Sequence, residues 1–220
     1  EGLIAHEIAH QWFGNSASEA NWHHAWLSEG FATYFTNLYM EHQYGSAKLQ
    51  QLVQEQRKRV IAYSEEKKVP VVNPTIENYM ELLNPNSYQK GGWVLHMLRK
   101  KVGDKLFWKS IQEYYQKFTL SNAYSSDLKE IFEKNSGLDL DQFFNQWLMQ
   151  AGQPEILIEW SYEQNELNVH LTQTQKEDFN FDLEIDLLFS DGSKERRVIS
   201  VNQKEQSWNP QLKREPVELI

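Results

Sequence analysis

The stretch His6-Glu7-Ile8-Ala9-His10 carries side chains able to hold and use a metal ion. It lies within Gly2 to Phe13, where Leu3, Ile4, Ile8, Trp12 and Phe13 recur at helical spacing, so the pattern predicts a helix with one apolar face. His6 and His10 stand one turn apart on a common face, and both imidazoles can reach one ion. Glu7 is one step round the helix, beside that ion, where a carboxylate can hold a water. Glu29 follows in Trp26-Leu27-Ser28-Glu29-Gly30-Phe31-Ala32, at the start of a second predicted helix, and is the candidate third ligand. Two imidazoles, one carboxylate and an open position describe a catalytic zinc site, since structural sites are closed by four ligands, usually including thiolates. The chain has no cysteine. The chemistry expected is hydrolysis. One Zn2+ per chain lowers the pKa of a water, and Glu7 takes the proton as the oxygen attacks a carbonyl.

The remaining histidines carry less. His23-His24 suggests a second metal site, but adjacent side chains diverge and no carboxylate sits at ligand spacing, so a surface pair is expected. His42 and His96 receive no catalytic role. Residues 1 to 47 hold the glutamates Glu1, Glu7, Glu19, Glu29 and Glu41 and no lysine or arginine. Such a field suits a divalent cation and a peptide's amino terminus, and a short biased window accounts for it equally well.

The stretch His-Glu-Ile-Ala-His-Gln-Trp-Phe-Gly-Asn, followed by Trp-Leu-Ser-Glu-Gly-Phe-Ala, resembles the aminopeptidase N-type gluzincin metallopeptidases, the family that includes leukotriene hydrolase. The resemblance implies that His6, His10 and Glu29 bind zinc and that Glu7 is the base. A further segment, Ser87-Tyr88-Gln89-Lys90-Gly91-Gly92, is similar to the family's Tyr-x-Lys-Gly segment. By that similarity, Tyr88 donates a hydrogen bond to the oxyanion of the transition state. The implied fold is α+β: a mainly helical, thermolysin-like catalytic subdomain followed by a small antiparallel β-sandwich-like domain.

The elements that must position these residues follow the same division. A helix is predicted over about Trp26 to Tyr44, with Leu27, Phe31, Tyr34, Phe35 and Leu38 as its buried stripe. Ser46 is expected to cap a third helix, with Leu49, Leu52, Val53 and Val60 inward. Pro70, Pro74 and Pro85 interrupt the stretch before Tyr88. From Ser87 the pattern is helical again, Asp104 is expected to cap the next helix, and two more follow to Gln150. At Ala151-Gly152-Gln153-Pro154 the period changes from helical to two. Residues 1–151 are therefore expected to form the helical zinc-binding domain and 152–220 a β domain, with Asp191-Gly192 as a hairpin turn.

Composition bounds the partners. A formal net charge of -9 argues against non-specific nucleic-acid binding, and no apolar run is long enough for a membrane span. The expected partner is a peptide substrate. The chain opens directly on the metal helix, so it is expected to be a fragment whose upstream polypeptide completes the site. The family's Gly-x-Met-Glu-Asn segment, which anchors the substrate's amino group, is not in this sequence. The expected function is zinc aminopeptidase chemistry, with the fragment poorly active or inactive by itself. A zinc endopeptidase and a non-catalytic scaffold stay open as alternatives.

Overall fold

The computed structural model describes residues 1–220, in two compact units, Glu1–Gly152 and Gln153–Ile220. The first is helical: α1 (Gly2–Ala9), α2 (Trp26–Tyr44), α3 (Ser46–Glu66), α4 (Gly91–Val102), α5 (Asp104–Phe118), α6 (Ser125–Ser136) and α7 (Asp141–Phe144). A two-stranded parallel ladder joins β1 (Ala17–Glu19) to β2 (Ser121–Ala123). No helix is long and apolar enough to cross a membrane.

α1 is shorter than its apolar pattern predicts. It ends at Ala9, and the chain turns through His10 to Phe13 into Gly14, whose φ of 126° favours glycine. A Cβ there would also lie 2.9 Å from His10 Nδ1. Phe13 is buried, whereas Leu3, Ile4, Ile8 and Trp12, the rest of the apolar set, are exposed. Phe13 joins the core through Phe31 of α2, with ring centroids 4.4 Å apart, and Phe31 stacks on Tyr114 of α5 at 5.7 Å. Offset pairs of this kind contribute about 0.5–1.5 kcal/mol each beyond their buried area. They fasten the turn after the two histidines to the helix that carries Glu29.

α2 buries Leu27, Phe31 and Tyr34, while Phe35 and Leu38 are only half-buried. α3 departs further from expectation: Val60 is buried, but Leu49, Leu52 and Val53 are half-exposed. One side of this helix rests on α2, where the Asn37 and Gln56 amides exchange hydrogen bonds of 3.1 and 2.9 Å. Neither expected cap is present on its helix. Ser46 and Asp104 are first helical residues, after Gly45 and Gly103. Asp104 instead forms a bidentate pair with Arg99, both bonds 2.9 Å.

The proline-interrupted stretch is built from asparagine turns. Asn78 Oδ1 accepts from Met80 N–H and Asn84 Oδ1 from Asn86 N–H, around a 3-10 turn at Tyr79–Leu82. Helical structure resumes as a single π turn, Asn86–Lys90, before α4 begins. A second π turn, Asn145–Met149, follows α7.

The second unit holds two three-stranded antiparallel sheets. One contains β3 (Ile156–Glu163), β4 (Glu166–Gln173) and β7 (Glu205–Trp208), in the order β3-β4-β7. The other contains β5 (Phe181–Phe189), β6 (Lys194–Val201) and β8 (Pro216–Leu219), in the order β6-β5-β8. Leu167, Val169 and Leu171 pack with Ile185, Leu187, Phe189, Ile199 and Val201 into one core. The Asp191–Gly192 turn is closed by Asp191 Oδ1, which accepts from Ser193 N–H at 2.9 Å. The chain is thus α+β.

Candidate metal centre

The helical spacing of His6 and His10 turns both imidazoles to one point, and α2 delivers Glu29 to the same point. Glu29 Oε2 lies 3.1 Å from His6 Nε2 and 3.3 Å from His10 Nε2, and the two Nε2 atoms are 3.1 Å apart. All three residues are half-buried. A tetrahedral ion with bonds of about 2.1 Å separates its ligand atoms by roughly 3.4 Å, so the observed triangle is of the right size. His10 Nδ1 donates to the Phe13 carbonyl at 3.0 Å, which leaves Nε2 with its lone pair toward the shared point. The donor set, two imidazole nitrogens and a carboxylate oxygen without thiolate, fits zinc.

The electrostatics favour positive charge at this point. Burial works to raise the Glu29 pKa, but the hydrogen bonds from His10 and then His6 outweigh it and hold the carboxyl at about 2. Glu29 reciprocally raises the pKa of His10, chiefly through their hydrogen bond and against the effect of burial. Glu7, on the exposed side of α1, leaves its carboxylate open to solvent beside this cluster.

Tyr88 projects from the π turn Asn86–Lys90. Its ring stacks on His6 with centroids 5.8 Å apart, and its phenol lies close enough to the Glu29 carboxylate to feel its charge. Burial, with the Glu29 charge second, pushes the phenol well above its usual pKa, so it stays protonated and able to donate. All five residues singled out from the sequence therefore belong to one locality, three of them with ligand atoms within 4.8 Å of one another.

Sequence reasoning missed what sets these distances. Gly30, next to Glu29, meets Gly91, just past the Tyr88 turn, backbone to backbone. A Cβ on Gly30 would stand 2.9 Å from the Gly91 carbonyl carbon and 3.0 Å from its Cα. The signal was the glycine directly after Glu29 and the pair Gly91-Gly92, whose partnership no local pattern reveals. Gly30→Ala should destabilise the fold by about 1–3 kcal/mol through overpacking and should loosen metal binding by displacing Glu29. Denaturant midpoints and zinc titration would check this; an unchanged midpoint would mean that the crossing tolerates a methyl group.

His23 and His24 diverge as expected, but they are not a free surface pair. His23 Nε2 meets the Ile76 carbonyl at 3.0 Å, and His24 Nδ1 meets Ser125 Oγ at 2.7 Å. Ser125 Oγ also accepts from Trp26 Nε1 at 2.8 Å. Both histidines thus tie the approach to α2 onto neighbouring segments. Burial lowers the His24 pKa, which suits this neutral, hydrogen-bonded role.

The chain is similar in sequence and fold to known proteins. The model described as "Peptidase family M1 domain" matches residues 1–147. Aminopeptidase M1-A of Oryza sativa subsp. japonica is 33% identical over 159 residues, covering 70% of this chain and 18% of the relative. Glutamyl aminopeptidase of Sus scrofa is 32% identical over 163 residues, covering 71% and 17%. The chain therefore spans less than one fifth of the length of these curated relatives. Among solved structures, Legionella pneumophila aminopeptidase A shares the fold over 98% of this chain and 25% of its own, at TM-score 0.81 and 18% identity. A variant M1 zinc metallopeptidase from Deinococcus radiodurans, bound to a Tyr-Ser-Ala substrate, matches 70% of this chain and 34% of its own. Its TM-score is 0.61 and its identity 30%. With a family match over two thirds of its length and a half-buried triad of two histidines and a glutamate at the matched helices, the chain belongs to peptidase family M1.

Proposed function

We propose that this chain carries the metal half of a zinc aminopeptidase site, acting on peptides from their amino terminus. The observation that carries the reading is the convergence of His6, His10 and Glu29 beside a protonated tyrosine. His6, His10 and Glu29 would hold one Zn2+. When bound, that ion supplies Lewis acidity and lowers the pKa of water. Glu7 accepts the proton of the attacking water and passes it to the departing amine. Tyr88 donates its hydroxyl to the carbonyl oxygen as negative charge builds there. Exposed Glu7 and half-buried Glu29 are two carboxylates given different work by their surroundings.

The support for peptide substrates is kinship: the Deinococcus radiodurans relative is described with a peptide bound. The aminopeptidase reading rests on the names of the relatives. The test is a panel of peptides with free and with acetylated amino termini, given to the full-length protein. Cleavage restricted to free amino termini is expected. Equal cleavage of blocked peptides would make it an endopeptidase, and cleavage of neither would make the fold a scaffold.

A further inference from the structure

Lys90 is a buried cation that the proposed chemistry does not use. It is 4% exposed, and its ammonium donates to the Gly152 carbonyl at 2.6 Å. One carbonyl satisfies one of three N–H donors, and burial holds the group's pKa down at about 8. An apolar side chain of the same length would fill the space without desolvating a charge. What offsets that cost is the place where the bond is made.

Asn86–Lys90 is a single π turn that runs directly into α4. Four side chains brace it. Asn84 Oδ1 accepts from Asn86 N–H at 2.8 Å, Asn86 Nδ2 donates to the Val69 carbonyl at 2.9 Å, Ser87 Oγ to the Leu82 carbonyl at 2.6 Å, and Lys90 Nζ to Gly152. The first three hold the start of the turn, and Lys90 is the side chain that braces its end, where the backbone runs on into α4. Tyr88 sits between them, with its phenol toward Glu29 and His6. Gly152 has φ 84°, a conformation that favours glycine.

We propose that Lys90 is a positioning residue, whose bond to the Gly152 carbonyl fixes the π turn so that the Tyr88 phenol is aimed at the metal-ligand cluster. The catalytic consequence rests on the Tyr88 role given above; the positioning itself does not. A misplacement near 1 Å of a group that must meet a transition state lowers turnover by up to about 100-fold.

Two variants test this from opposite ends of the bond. Lys90→Met removes the donor and keeps the stem, and Gly152→Ala strains the acceptor's backbone. The readout is NMR of the protein labelled with 13C at tyrosine Cζ, with Tyr88 identified by its loss in Tyr88→Phe. In both variants the Tyr88 resonance should shift or split, with buried Tyr114 unmoved and zinc content at the wild-type level. In the full-length protein, Lys90→Met should lower kcat by about 10- to 100-fold with KM little changed, and should add little to Tyr88→Phe. An unmoved Tyr88 resonance in both variants would overturn the proposal. So would joint movement of all tyrosines, or an equal loss of kcat in the Tyr88→Phe background. A protein that binds no zinc would defeat the functional reading, while the resonance of Tyr88 would still decide the positioning.

Discussion

Replacing Glu7 with glutamine in the full-length protein is expected to leave folding and zinc content unchanged and to lower turnover by about 100- to 10,000-fold. The amide has the shape of the carboxylate and cannot accept a proton. Glu7 lies on the exposed side of α1 and its side chain supports no buried contact, so stability should not confound the result. The three ligand residues lie elsewhere on the cluster, which is why metal content should hold. Hydrolysis of an aminoacyl reporter and elemental analysis of the same preparation make the comparison. Near-native turnover in Glu7→Gln would assign the proton to another group.

Tyr88→Phe should cost about 100- to 1000-fold in kcat, the usual loss on removing one oxyanion donor. The substitution deletes one oxygen and keeps the ring against His6. The bond to the reacting oxygen strengthens only as charge develops, so KM should change little. The pKa of the phenol, raised by burial and by Glu29, keeps the donor proton in place across the neutral range. Steady-state kinetics separate the outcomes: a raised KM with intact kcat would make Tyr88 a ground-state contact instead.

Much of this site was legible because its information is local. The interval from His6 to His10 is one helical turn, and a helix turns any such pair to one face. Glu29 was legible as a carboxylate in the first turn of a predicted helix. What was not legible depends on chain segments far apart in sequence. The Gly30–Gly91 crossing fixes how near Glu29 comes to Tyr88, and neither glycine reveals its partner locally. The π turn under Tyr88 is held by carbonyls of Val69, Leu82 and Gly152, so local patterning read it as ordinary helix. The caps failed for a local reason: glycines at 45 and 103 end one helix and begin the next, leaving Asp104 to pair with Arg99. In the β unit, alternation found β3 to β6, whereas β7 and β8 are four residues each and too short to carry a period.

The central claim is that His6, His10 and Glu29 form one zinc site, and metal stoichiometry tests it most directly. Protein purified without chelator and analysed by mass spectrometry for elements should hold one zinc per chain. Single His6→Ala, His10→Ala and Glu29→Ala variants should each bind zinc far more weakly, and the His6→Ala, His10→Ala double variant should hold none. Stoichiometric zinc retained by the folded double variant would contradict the account, because the metal would then be bound somewhere else.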